Sequence, residues 1–159
     1  MTDFEALYQK YAHDVFRFAF FLSGNRADAE DIASETFVRA WNAPGGIRQS
    51  TVKAYLLVIA RNCYLHGLRR SRRHAPLEQD FADPRQAPHD SAEQRAELEL
   101  VMRDLQQLAE VDRTALLLSA AVGISYEQIA ETLGLSLGAV KTKIHRARLK
   151  LDQARKNRR

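Results

Sequence analysis

Residues 125–140 read Ser125-Tyr126-Glu127-Gln128-Ile129-Ala130-Glu131-Thr132-Leu133-Gly134-Leu135-Ser136-Leu137-Gly138-Ala139-Val140. Ser125 with Gln128 three residues on has capping-box form. Ile129, Ala130 and Leu133 then give a short amphipathic helix. Gly134 permits the turn because it accepts a positive φ at little cost, and Ser136 suits the cap of the next helix. The spacing predicts helices over about 126–133 and 137–151 in a helix-turn-helix layout, whose second helix enters the major groove.

The face of that second helix follows from 100° per residue. Val140, Ile144, Ala147 and Leu151 fall on one side and pack inward. Lys141, Thr142, His145 and Arg146 fall on the other, beside the small Gly138. Lysine and arginine hold phosphates or guanine edges, and threonine bonds a base or touches a thymine methyl. These four residues are the expected contacts with duplex DNA.

Working outward, the rest of the 159-residue chain is also helical in pattern. Phe4, Leu7, Tyr8, Tyr11, Val15, Phe18 and Leu22 recur at helical spacing, opened by a capping-box pair, Thr2 and Glu5, and closed by Ser23-Gly24-Asn25. A second helix is expected over 28–42. Asp28, Glu30 and Asp31 suit its dipole, and Ile32, Ala33, Phe37, Ala40 and Trp41 are available for packing. Pro44-Gly45-Gly46 stops it, and Ser50 or Thr51 caps a third helix carrying Val52, Leu56, Ile59, Ala60 and Cys63. Periodicity fails from His74 to Ser91, where Pro76, Pro84 and Pro88 lie, and resumes with Leu98, Val101, Leu105 and Leu108 before a helix over 113–122. The expected fold is therefore all-α: two small helical domains joined by a flexible acidic linker, with residues 1–75, 76–95 and 96–159 as domain, linker and domain.

Charge sharpens this division. The net charge of +4 conceals two basic blocks. Residues 36–76 hold eight basic groups and no carboxylate, and residues 141–159 hold nine basic groups against one acid. The stretches 1–35, 77–104 and 105–140 are each net acidic. Two separate polyanion-binding faces are the simplest electrostatic account. No apolar run is long enough to span a bilayer, Asp3 and Glu5 stand where a secretion signal needs positive charge, and the single Cys63 makes no internal disulfide. A cytoplasmic location is expected. Cys63, His66 and His74 lack a fourth partner for structural zinc, and neither a nucleophile–base set nor a phosphate-binding glycine loop is present. No metal, no cofactor and no enzymatic activity are expected.

The run Gly123–Ala130, then Leu133–Lys141, then His145-Arg146-Ala147-Arg148, resembles region 4 of extracytoplasmic-function (ECF) sigma factors of the sigma-70 family. Asp28-Ala29-Glu30-Asp31-Ile32-Ala33-Ser34-Glu35-Thr36-Phe37-Val38-Arg39-Ala40-Trp41 is similar to region 2.2 of that family. Tyr55–Asn62 followed by Leu68-Arg69-Arg70-Ser71-Arg72-Arg73 is similar to regions 2.3–2.4. The resemblance implies a promoter-specificity subunit. Asp31, Ser34, Glu35 and Phe37 would dock on core RNA polymerase. The loop Ala43–Thr51 with Asn62 would hold a flipped base of the −10 element, Tyr55 would stack or pack, and Arg61, Arg69, Arg70, Arg72 and Arg73 would hold the single-stranded backbone. Region 4 would read duplex −35 DNA. An anti-sigma factor is the implied regulator, without membrane insertion, and Asp80, Asp83 and Asp90 would thread a basic polymerase channel. Ser34, Tyr55 and His66 stand where the family more often has glutamine, tryptophan and aspartate. The alternatives are a stand-alone helix-turn-helix transcriptional regulator and a helical interaction protein.

Overall fold

The computed structural model describes residues 3–43, 51–71 and 91–158. They form seven helices: α1 (Asp3–Ser23), α2 (Arg26–Trp41), α3 (Val52–Ser71), α4 (Ala92–Gln106), α5 (Glu110–Ala120), α6 (Tyr126–Leu133) and α7 (Leu137–Asn157). The expected cap at Thr2, the interior of the 43–51 loop, Arg72, Arg73, and the linker with its three aspartates as far as residue 90 lie outside the described residues. No helix among the described residues is long and apolar enough to cross a membrane.

The first half is a three-helix unit. Phe18, Phe20 and Leu22 of α1 are fully buried, with Ile32 and Phe37 of α2 and Leu56, Leu57 and Ala60 of α3 packed in the same core. Gly24 turns the chain between α1 and α2 at φ +72°, where a Cβ is disfavoured. Asn25 then caps α2, its side chain accepting from Asp28 N at 2.9 Å. Helix α2 thus begins at Arg26, slightly ahead of the sequence expectation. Thr51 caps α3 by accepting from Ala54 N at 3.1 Å.

In the second half α5 and α6 pack on α7, with α4 along its outer end. Two boundaries differ from the expectation. Helix α4 begins at Ala92, inside the expected linker, because Ser91 and Gln94 form a reciprocal capping box. Residues 92–97 are all exposed, so this first stretch carries no apolar stripe for periodicity to detect. Helix α5 begins at Glu110 rather than near residue 113, with acids in its first turn.

The two halves also pack on one another. Helix α1 meets α4 and α5, and α3 meets α6, so buried apolar residues from both halves join one cluster. Among the described residues, three polar contacts fasten the seam. Gln106 donates to Phe21 O at 3.4 Å and Leu22 O at 3.2 Å, carbonyls at the end of α1. Arg61 grips Glu110 with two bonds, Nε to Oε2 at 3.0 Å and Nη2 to Oε1 at 2.8 Å. Arg113, only 4% exposed, donates to Tyr64 Oη at 2.8 Å and to the α4-terminal carbonyls of Leu105 and Leu108. A buried guanidinium so placed offsets its desolvation with several hydrogen bonds.

Candidate nucleic-acid interface

The helix-turn-helix forms as the sequence predicts. Ser125 accepts from Gln128 N at 3.2 Å to start α6. Gly134 ends it in the left-handed region, at φ 65° and ψ 36°, and Leu135 N donates back to Ala130 O at 2.9 Å. Ser136 caps α7 by accepting from Ala139 N at 3.0 Å. On α7, Val140, Ile144 and Ala147 are buried and Leu151 is half-buried, whereas Lys141, Thr142, His145 and Arg146 are all exposed. The helix therefore offers the expected face outward, four residues within little more than one turn.

Arg146 is held more firmly than its exposure suggests. Its Nε and Nη2 donate to Oδ2 and Oδ1 of Asp112, both at 2.8 Å. Asp112, in the first turn of α5, is 1% exposed, and Lys143 Nζ stands 3.8 Å from its Oδ1. The Arg146 bond holds the Asp112 carboxyl below the ordinary carboxylate range; burial opposes this, and the charges of Arg146, Lys143 and Lys150 add to it.

The first half presents a less uniform picture. Asn62 is exposed and Tyr55 is half-buried against the core. Arg69 and Arg70 lie in the last turns of α3. Arg61 is not a free phosphate ligand, since Glu110 occupies its guanidinium. Burial works against ionisation of Glu110, yet bonds from Arg61 and Thr114 outweigh it and hold this carboxyl below its ordinary range.

On α2, Asp31, Ser34 and Glu35 are exposed, with Glu35 bonded to Arg39 at 2.9 Å. Phe37 departs from the expected docking role. It is 3% exposed, its ring edge-on to Phe4 and Tyr8. Helical spacing puts Phe37 with Ala33 on the inward side, where it floors a groove of about 210 Å³ between α1 and α2. Trp41 departs the other way. It meets Phe4 at 4.8 Å but is 62% exposed, and with Val38 it continues the surface of Asp31, Ser34 and Glu35. In sequence Trp41 reads as a packing residue and Val38 carries no role, whereas both fall on the outward face of α2.

Glu110, Asp112 and Arg113 were also missed as functional neighbours. Glu110 and Asp112 fall ahead of the helix expected over 113–122, and the partners of all three lie 34 to 49 positions away.

Comparison with known proteins matches the two halves separately. Residues 7–74 match Sigma-70 region 2, and residues 98–151 match Sigma-70, region 4. The ECF RNA polymerase sigma factor SigE of Mycolicibacterium smegmatis is 35% identical over 95% of the chain, which spans 61% of that relative's length. The ECF RNA polymerase sigma factor SigL of Mycobacterium tuberculosis is 33% identical, covering 89% of the chain and 82% of the relative. Among solved structures, the sigma factor RpoE in complex with the anti-sigma factor NepR from Bartonella quintana superposes with a TM-score of 0.81, at 27% identity and over the whole of both chains. With the two matched regions in order and relatives of this identity across nearly its full length, the chain belongs to the ECF group of the sigma-70 family.

Proposed function

We propose that the chain directs core RNA polymerase to particular promoters, using α7 to read duplex −35 DNA and its first half to hold the melted −10 strand. The observation that carries this is the exposed Lys141, Thr142, His145 and Arg146 face on the same chain as a region-2 unit with a docking-type α2 surface. A regulator that only binds duplex DNA has no use for the second feature. The chain's part is to direct an enzyme rather than to be one, and it works in the cytoplasm.

Asp31, Ser34 and Glu35 meet core polymerase, joined by Val38 and Trp41. Acidic groups steer the encounter with a basic partner, and the exposed tryptophan supplies an anchor. Asn62, Tyr55, Arg61, Arg69, Arg70, Arg72 and Arg73 serve the −10 strand. The functional units are residues 1–75 and the part from Ser91 onward, joined by the acidic segment between them.

An anti-sigma factor is the regulating partner. The likeness to RpoE in its NepR complex covers the whole chain, so it includes the way the halves sit together. With Glu110 on Arg61, that arrangement withholds a −10 ligand, which suits a resting form.

Run-off transcription with core RNA polymerase on a promoter library randomised at both elements tests the proposal. Selection of a defined −35/−10 pair is expected. Transcripts no more selected than those of core polymerase alone would overturn it.

A further inference from the structure

We infer that Asp112 is a specificity-positioning residue: from beneath the recognition helix it locks Arg146 so that the outer edge of the guanidinium reads one base pair. The inference rests on the −35 reading above and goes beyond it, by assigning a role to a residue of α5 that lies off the DNA-facing surface.

The geometry is bidentate. Asp112 takes the Nε–Nη2 edge of Arg146 with two bonds of 2.8 Å. A guanidinium has five N–H donors in a rigid plane. Two are spent, and the pair on the Nη1–Nη2 edge remains in that plane, directed away from the carboxylate. That edge matches two acceptors side by side, as the O6 and N7 of guanine present them in the major groove. The Arg146 side chain is 47% exposed while that of Asp112 is 2% exposed, so the free end is the outer one.

Charge decides between a base and a phosphate as the target. A residue whose task is to neutralise phosphate gains nothing from a carboxylate fixed against it, since the pair is close to neutral. What the carboxylate supplies is direction. It removes rotamers that an unrestrained arginine would sample, and such restriction matters where two acceptors must be met in one plane. Phosphate attraction is left to Lys141 and Arg148, which are exposed on the same helix. The bond from Arg146 itself keeps Asp112 ionised, and Lys143, with its Nζ 3.8 Å from the same carboxylate and its side chain 25% exposed, adds to this.

The test uses the full chain with core RNA polymerase, a fixed −10 element and a randomised −35 element, read by sequencing the transcripts. Wild type, Asp112→Asn, Arg146→Ala and the double variant are compared. Asparagine keeps the shape of aspartate but turns one acceptor into a donor facing the guanidinium. Arg146→Ala is expected to flatten preference at one base pair by about tenfold. Asp112→Asn should flatten the same position, and the double variant should be no flatter than Arg146→Ala alone. The −10 preference and core binding, measured in parallel, should stay at wild-type level. A merely structural role for Asp112 predicts an even loss over all −35 sequences, and that outcome overturns the inference. So does an unchanged base profile in Asp112→Asn, an effect of Asp112→Asn that persists in full without Arg146, or an Arg146→Ala profile that keeps every base preference. Failure of the wild-type chain to select any −35 sequence would instead remove the promoter reading itself, and this role with it.

Discussion

Replacing Glu110 with glutamine should loosen the seam between the two halves and free Arg61 for single-stranded DNA. Glutamine keeps the shape and one acceptor but loses the charge and faces Arg61 with an N–H. Both side chains of the pair are 21% exposed, so solvent screens them far less than a surface pair. A bidentate charged contact of this kind contributes about 1.5–3 kcal/mol, against about 0–1 kcal/mol for an exposed one. The seam has other fastenings, in Gln106, Arg113 and the apolar contacts, so the halves should shift toward separation rather than fall apart. A loss of about 2 kcal/mol is roughly thirtyfold in the ratio of closed to open chain. Two measurements on the free full-length chain follow this: radius of gyration by small-angle scattering, and affinity for a fluorescent single-stranded oligonucleotide at fixed salt. Glu110→Gln should raise both. Arg61→Ala should raise the radius but not the affinity, because it opens the seam and deletes the ligand together. A Glu110→Gln chain with wild-type radius and wild-type affinity would refute the reasoning. The pH sign is also set. The Glu110 carboxyl is held below its ordinary value, so its contribution is fully present above the ordinary carboxylate range, about pH 4, and is lost as pH falls through the depressed value. The radius should therefore be flat from about pH 6 to 8.

Other consequences concern the DNA face and the turns. Lys141→Ala should weaken −35-dependent transcription while leaving core binding intact, and should lower the slope of log affinity against log salt by about one; equal loss of core binding would contradict its place on α7. Ser136→Ala removes the cap of the recognition helix and should cost about 1 kcal/mol, seen as a lower melting temperature by circular dichroism. Gly24→Ala should be worse: the residue has φ +72°, and its Cβ would stand 2.8 Å from Gln106 Nε2. Displacing Gln106 forfeits its bonds to Phe21 and Leu22, for a total of about 2 kcal/mol and a melting temperature lower by about 4–8 °C. A Gly24→Ala chain melting with the wild type would mean that the turn and the seam are not coupled there.

The sequence by itself determined the elements and the outer face of α7. Caps at Ser125, Thr51 and Ser136, the glycine turns and the 3.6-residue period are local effects, and each acts within a few residues of its cause. For the same reason Lys141, Thr142, His145 and Arg146 were legible, since a buried stripe fixes which residues oppose it. Local rules failed where no stripe existed, as in the exposed start of α4. They also failed at Trp41, expected to pack yet turned out, whereas they placed Phe37 among the packing residues, as found, and only the family resemblance set it on the docking face. Only the tertiary structure decided the partners of the charges. Arg61 with Glu110, Arg113 with Tyr64 and Arg146 with Asp112 are separated by 49, 49 and 34 residues, and nothing in a helical period encodes which surfaces meet. Packing the first half against α5 brings Arg61 and Tyr64 of α3 to it, and packing α5 against α7 brings Arg146 to Asp112. An arginine read from sequence as a free cation thus became, at two of the expected DNA contacts, one arm of a fixed ion pair.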